Sequence, residues 1–537
     1  MLIRAIRDTG RKGYRQPDNT ALTGYSALIH HFGLEVPIPD VLATTSDSRV
    51  RTEKGSNHLL APGGYSIYEV TYRGTDERER ERLARGDMTF AEHLVFALKH
   101  EATDLHVLKK LFLKVDPELV ADMVRQSPTG SYVRQAFFFY EWLTGRMLDV
   151  PSAGGSYIDA LDPKVWHTAT PINSPRHRVR DNIPGVPAFS PLVRRSATFQ
   201  GDLREECNRK ALAAISRAPQ GIATRLTRRL LLRDSRSTFA IENESPSIDK
   251  LEKWSDLVAE SGKRRLDLQY LLSLQKMIMD SRWVQLGIRR NGVYLGEEVD
   301  GSLIPNWIGA KPEDLKELVD GIFAADDRMS RTRDFDPVAH ATSVGFGWLM
   351  VHPLADGNGR THRFILSSIL NQHDVRPQGI TLPISKAIFA DMDGYRETLT
   401  TYDQKRIGLI RWERTHNGNV EVVNDTKDLY AHFDASHQAA FITDRIGYTL
   451  DRSIPEEVES IVKRDRMIDE MRFVVDMRPE RIDFFAKLVL QNSGRLSKAK
   501  REKVFPELDD EQVQGMEDVV RDVYEIEATD VPALAPR

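Results

Sequence analysis

One cysteine, Cys207, stands in 537 residues, which excludes an intramolecular disulfide and any metal site built from several thiolates. No apolar run approaches the ~20 residues that a membrane-spanning helix needs. The opening stretch, MLIRAIRDTGRKGYRQP, has charges but no apolar centre, unlike a secretory leader. Aromatics are sparse at 8%, and a net charge of −4 is too mild to dictate a nucleic-acid or membrane partner. These absences point to a cytoplasmic protein without membrane contact. What the chain does have is length. Its 537 residues exceed one hydrophobic core, and the prior is roughly three or four domains, or two with long accessory segments.

Periodicity predicts a mainly α chain. Within residues 1–150, SIYEVTYR (66–73) reads as a strand, while FAEHLVFALKHEATDLHVLKKLF (90–112) has helical spacing and SYVRQAFFFYEWLTGRML (131–148) reads as a buried helix. The run RGTDERERERLARGD (73–87) mixes signs and predicts a solvated helix or arm. Pro163, Pro171, Pro175, Pro184, Pro187 and Pro191 interrupt helix and predict an extended surface connector. Beyond it, Arg225, Arg228, Arg229, Arg233 and Arg236 crowd one stretch. A nucleic-acid patch is one reading; a solvated cationic face over Leu230, Leu231 and Leu232 is the plainer one. Asn291-Gly292, within IRRNGVYL (288–295), is a hairpin signal in a helical setting. Past 426 helix returns, with Ser453 as expected N-cap and Pro455 just inside. No internal repeat or low-complexity tract is evident.

The most informative stretch is HPLADGNGRTHR, His352 to Arg363. It lies between a helix expected from Asp336-Pro337 to before Pro353 and a second that resumes at Arg360, so ADGNG is a loop feeding a helix N-terminus. Such a terminus offers unpaired N–H groups and partial positive charge to an anion. Gly357 and Gly359 permit close ligand approach and an anion-binding nest. Arg360 and Arg363, three apart, can fork phosphate oxygens. Asp356 beside phosphates calls for Mg²⁺, which commonly takes one or two carboxylates plus phosphates. Asn358 can donate to a phosphoryl oxygen. His352, largely neutral near pH 7, can accept a proton.

These residues resemble the signature of the Fic (filamentation induced by cAMP) proteins, His-x-Phe-x-Asp/Glu-Gly-Asn-Gly-Arg-x-x-Arg. Seven of its eight specified positions match, with Leu354 where the family usually has Phe. The resemblance covers roughly 235–410 and implies a helical core with a small β-hairpin flap. The expected organisation is an accessory region of α or α+β character over 1–195, a Fic domain over 196–425, and a helical region over 426–537. Within the Fic domain the flap would span about 286–300. Its Asn291, Gly292 and Val293 would clamp an extended target segment by strand pairing. Tyr395, on the helical part after the signature, would help close the nucleotide site.

The activity implied is transfer of AMP from ATP to a Ser, Thr or Tyr hydroxyl of a target protein. His352 would be the base, with Asn358 assisting. Asp356 would hold Mg²⁺, Gly357, Asn358 and Gly359 the phosphates, and Arg360 and Arg363 the terminal charges. The branch of the superfamily that phosphorylates carries Lys where Gly359 stands. The partners implied are an unidentified target protein, the chain itself and a second copy in a homodimer. Upstream, TFAIEN resembles the family's inhibitory pattern Ser/Thr-x-x-x-Glu-Gly/Asn through Thr238, Glu242 and Asn243, on a helix expected near 236–246. Glu242 is the only glutamate followed by Gly or Asn, and paired with Arg363 it would occupy the fork meant for the γ-phosphate. The alternatives are removal of AMP, use of another nucleotide, and a non-catalytic nucleotide-sensing role.

Overall fold

A computed structural model describes residues 20–37, 42–46, 58–61, 65–69, 88–216, 218, 221–278 and 287–526. The opening stretch and the charge run at 73–87 lie outside them. Helices dominate, joined by small sheets.

Near the N-terminus, Thr20–Leu22, Leu42–Ser46, Tyr65–Glu69 and His58–Ala61 lie side by side in that order, with one parallel pairing between Leu42–Ser46 and Tyr65–Glu69. The helix expected over 90–112 is two, Phe90–His100 and Leu105–Lys114. Asp104 causes the break, because its carboxylate accepts from Val107 N and starts a new helix. Helix Ser131–Thr144 buries Phe137, Phe138, Phe139 and Tyr140 and ends at Gly145, φ 68°. These helices share a first core that runs from Tyr25 to Leu192.

The prolines did not yield a surface connector. Ile158–Asp159, Val179–Asp181 and Ile172–Ser174 form a three-stranded sheet, and Trp166, Ile183 and Phe189 are buried. Proline prevents helix but not packing. Phe189 enters the next core so closely that a Cβ placed at Gly347 would come within 2.2 Å of its ring.

That second core runs from Phe189 to Ile461, so the expected boundary at 425/426 falls inside it. Helix Ile222–Ile241 carries the arginine cluster. Leu230 and Leu231 point inward. Arg225 pairs with Asp465 at 2.6 Å, while Arg229 and Arg233 hold Glu457 at 2.5 and 2.8 Å. The cluster is therefore in large part a seam against helix Ile454–Val474, with neither an open nucleic-acid face nor a simply solvated one. Ser453 is no N-cap either. It has helical angles, φ −62° and ψ −42°, inside a π-helical stretch Thr449–Ser453 that joins helix Ser436–Tyr448 to Ile454–Val474. The wider turn accommodates Pro455, which lacks an N–H. A third core, from Met467 to Val523, packs the last helices together.

The hairpin is present but shifted. Tyr294–Val299 pairs antiparallel with Ser302–Ile308, and the chain reverses at Asp300 (φ 49°) and Gly301 (φ 77°). Two positive φ values in succession make the primed turn that suits twisted strands. Asn291-Gly292 was the expected turn, but only Asp300-Gly301 lies between two runs long enough to pair. Gly292 instead packs where a Cβ would lie 2.0 Å from the Val420 carbonyl oxygen.

Candidate active site

Helix Pro337–Val351 starts at Asp336, whose carboxylate accepts from Ala339 N at 2.8 Å. It ends at His352 in the left-handed conformation, φ 54° and ψ 56°. That backbone costs about 1 kcal/mol for a residue with a Cβ and turns the chain sharply into the loop. The His352 Nδ1 lies 3.1 Å from the Leu349 carbonyl oxygen. Nδ1 therefore donates, and Nε2 keeps a lone pair. Burial, joined by the Arg289 charge, lowers the His352 pKa to about 4 against the opposing pull of the Leu349 bond. The imidazole is neutral and half-buried, and Trp307 from the hairpin meets it edge-on at 4.9 Å.

Arg289 organises the turn. It donates from Nε to the His352 oxygen (2.6 Å), from Nη1 to Asn291 (2.8 Å) and from Nη2 to Val351 (3.2 Å) and Ala310. A guanidinium on the last carbonyls of a helix is where the helix dipole favours it. Burial still brings its pKa down to about 10.

The loop is held on both sides. Leu354 is fully buried and bridges Ile288, and Arg289 N donates to the Pro353 oxygen at 2.9 Å. Gln275 donates to the Asp356 oxygen (2.9 Å) and accepts from Gly287 N (2.8 Å). Asn358, expected at a phosphate, is buried and folded back on the loop. Its Oδ1 accepts from Leu354 N at 3.0 Å, and its Nδ2 donates to the Leu354 oxygen at 2.9 Å. A buried carboxamide must satisfy both ends, and the loop backbone supplies both.

Helix Asn358–Gln372 begins after Gly357, φ 88°, which carries no capping side chain. That leaves first-turn N–H groups for a ligand. Arg363 is buried. It donates to the Thr238 hydroxyl (2.8 Å), the Thr238 carbonyl (2.9 Å) and Glu242 Oε1 (2.7 Å). Arg360, also buried, donates to Glu244 Oε2 at 2.7 Å. A Cβ on Gly359 would lie 2.3 Å from Glu242 Oε1, so the glycine leaves the space that the carboxylate fills. Glu242 is the C-cap of helix Ile222–Ile241, and Asn243 at φ 57° turns the chain to bring Glu244 across.

Tyr395 sits behind Arg363, buried and stacked on His362 at 6.3 Å with 16° between the planes. Burial pushes its phenol up to about 12. Asn291, Gly292 and Val293 lie at the base of the hairpin: Val293 accepts from Gly309 N at 3.0 Å, and Gly292 accepts from Asn419 at 2.8 Å. They are not at its tip. Asp356 is exposed at the loop, one oxygen 2.5 Å from Gly357 N. No cluster of three or more metal-ligating side chains occurs among the described residues. A single exposed carboxylate still fits Mg²⁺, which takes its other ligands from phosphates and water.

The structure thus gathers His352, Asp356, Gly357, Gly359, Arg360, Arg363, Thr238 and Glu242 at one mouth. Sequence reasoning missed Glu244, Arg289, Gln275 and Trp307. For Glu244 a signal existed, since a second glutamate follows Glu242 by two residues and a second arginine precedes Arg363 by three. The other three carry no local pattern.

Residues 265–370 match the family model described as Fic/DOC family. No curated protein matches. Among solved structures, the chain is similar to a Fic family protein from Desulfovibrio desulfuricans G20, at 15% identity and a TM-score of 0.32, over 62% of this chain and 86% of that one. It is also similar to a Fic domain containing signaling protein from Bacteroides thetaiotaomicron VPI-5482, at 14% identity and a TM-score of 0.35, over 48% of this chain and 96% of that one.

Proposed function

We propose that this chain transfers AMP from ATP to a hydroxyl group of a target protein, and that Glu242 restrains the reaction. The carrying observation is the 2.7 Å contact of Glu242 with the buried Arg363, made in the space beside Gly359 at the uncapped helix N-terminus. A carboxylate in that position stands where a phosphate would bind.

With Glu242 withdrawn, the helix N-terminus binds phosphate oxygens and Arg363 takes the terminal one. Asp356 would hold Mg²⁺, which when bound neutralises phosphate charge. His352 Nε2 accepts the proton of a Ser, Thr or Tyr hydroxyl, and that oxygen attacks the α-phosphorus. The new P–O bond forms as the bond to the β-phosphate oxygen breaks, and pyrophosphate leaves. The chain contributes position and charge compensation, which suffice for such a transfer. The target lies along the hairpin strand that carries Trp307, so its hydroxyl reaches His352.

The test follows label from α-labelled ATP into protein, with cell lysate supplying targets. Weak labelling by wild type, strong labelling by Glu242→Gly and none by Glu242→Gly with His352→Ala is the expected result. γ-Labelled ATP should leave no mark, separating AMP transfer from phosphorylation. A silent Glu242→Gly variant with ATP, GTP and UTP would overturn the proposal.

A further inference from the structure

Helix Ile248–Ala259 starts at Ser247, whose hydroxyl accepts from Lys250 N at 3.3 Å, so Lys250 stands in the first turn. A cation there opposes the helix dipole, and the neighbouring Asp249 does not answer it, being held by Lys253 at 2.8 Å. Lys250 instead faces the signature helix. Its Nζ lies 5.1 Å from the centre of the Phe239 ring, and the Arg360 guanidinium lies 5.5 Å from the same ring. Phe239 is fully buried, so two helices distant in sequence set their cations on one aromatic floor.

The two cations share one carboxylate. Glu244 Oε2 is 2.7 Å from Arg360 Nη1 and 3.9 Å from Lys250 Nζ. The first distance is a charge-assisted hydrogen bond. The second is too long for one, though close enough for the charges to attract. One carboxylate oxygen thus serves one donor well and the other poorly, whereas a phosphoryl group presents several oxygens around one centre. The charges point the same way. Glu242 balances Arg363, but Glu244 sets a single negative charge against both Arg360 and Lys250. The place is also reachable. Glu244 is 39% exposed and Lys250 30%, so the carboxylate over Arg360 is the part that water or a ligand can displace.

We propose that Arg360 and Lys250 form a second phosphate subsite, closed by Glu244, beside the one that Arg363 forms and Glu242 closes. A polyphosphate then sets one phosphate on Arg363 and the adjacent one on Arg360 and Lys250, and the leaving pyrophosphate is held at both ends. This assignment rests on the reading of the signature loop as a nucleotide site restrained by Glu242. It adds a phosphate-binding lysine from outside the signature and a second cover.

Calorimetric titration of the full chain with inorganic pyrophosphate and Mg²⁺ tests it without a target protein or turnover. In a Glu242→Gly, Glu244→Gln background, where neither cover is charged, Lys250→Met should weaken pyrophosphate binding about three- to tenfold, the range for a partly exposed charge-assisted contact. Methionine keeps an unbranched side chain over Phe239. Lys253→Met, which removes one charge from the same helix, should leave the binding unchanged. With Glu244 intact, the sign separates two roles for Lys250. A lysine that merely steadied Glu244 would, on removal, loosen the cover and tighten pyrophosphate; a lysine that binds phosphate weakens it in either background. Unchanged or tighter binding with Lys250→Met, or an equal loss with Lys253→Met, would overturn the proposal and leave the Glu242 latch standing. Pyrophosphate that does not bind the Glu242→Gly, Glu244→Gln protein at all would bring down the nucleotide reading, and this subsite with it.

Discussion

Two helices set arginines at helical spacing, and they hold their carboxylates in opposite ways. On helix Ile222–Ile241, Arg229 and Arg233 are 33% and 45% exposed, while their partner Glu457 is fully buried. On helix Asn358–Gln372 the arginines are buried, Arg360 at 2% and Arg363 at 1%, and their partners Glu244 and Glu242 are 39% and 35% exposed. The buried member of an ion pair cannot leave without a large desolvation penalty, whereas the exposed member can be rehydrated and replaced. The first seam therefore centres on a buried anion and offers a phosphate nothing to bind. The second is a pair of buried cations under half-exposed carboxylates, the arrangement that the proposed latch needs.

The sharpest way to break this comparison is to strip the first seam. Replacing Arg229 and Arg233 together by Ala leaves Glu457 charged and buried, and should destabilise by about 3–5 kcal/mol. A lower urea midpoint would register it, and Glu457→Leu, which removes the charge itself, should cost much less. Equal losses for the two would dissolve the distinction. At the latch, Glu242→Gly should tighten ATP about tenfold to a hundredfold, the worth of one hydrogen bond to a charged group, while moving the urea midpoint less than the double arginine change. Thr238 still holds Arg363, and water reaches the vacated side. Calorimetry on both proteins measures the difference. Glu244→Gln should tighten ATP only about two- to fivefold, since a half-exposed pair contributes roughly 0.5–1 kcal/mol.

A further effect expected is one of pH. His352 titrates at about 4 in the fold, and burial lowers His362 to about 3, against about 6.5 unfolded. The unfolded chain then binds more protons below pH 6.5. The stability these neutral rings confer is complete above that pH and lost as pH falls toward 4. Melting temperatures at pH 7, 5.5 and 4.5 should descend in that order. A flat series would mean that these rings are not held neutral.

Much of the site was legible. The helix ending at His352, the loop and the second helix follow from Asp336-Pro337, Pro353 and the two glycines, all of which act over a few residues. The Glu242–Arg363 pairing was legible only through resemblance, because 121 residues separate the partners. The hairpin was misplaced because Asn291-Gly292 and Asp300-Gly301 are equal as local signals, and only the pairing of Ser302–Ile308 with Tyr294–Val299 decides between them. Prolines from 163 to 191 announce the absence of helix, but not whether Phe189 finds a pocket.

By itself, the sequence determined the residue chemistry and local backbone preferences: which glycines can turn, which helix starts where, which histidine precedes a proline. Tertiary structure alone decided which charges meet. It put Arg289 on the last carbonyls of the His352 helix, turned Asn358 back to staple Leu354, laid Glu244 across Arg360 and buried Glu457 under two arginines. The reason is physical. A turn or a cap is settled within a few residues, but burial, which decides whether a charge is bound permanently or can be exchanged, is a property of everything packed around it.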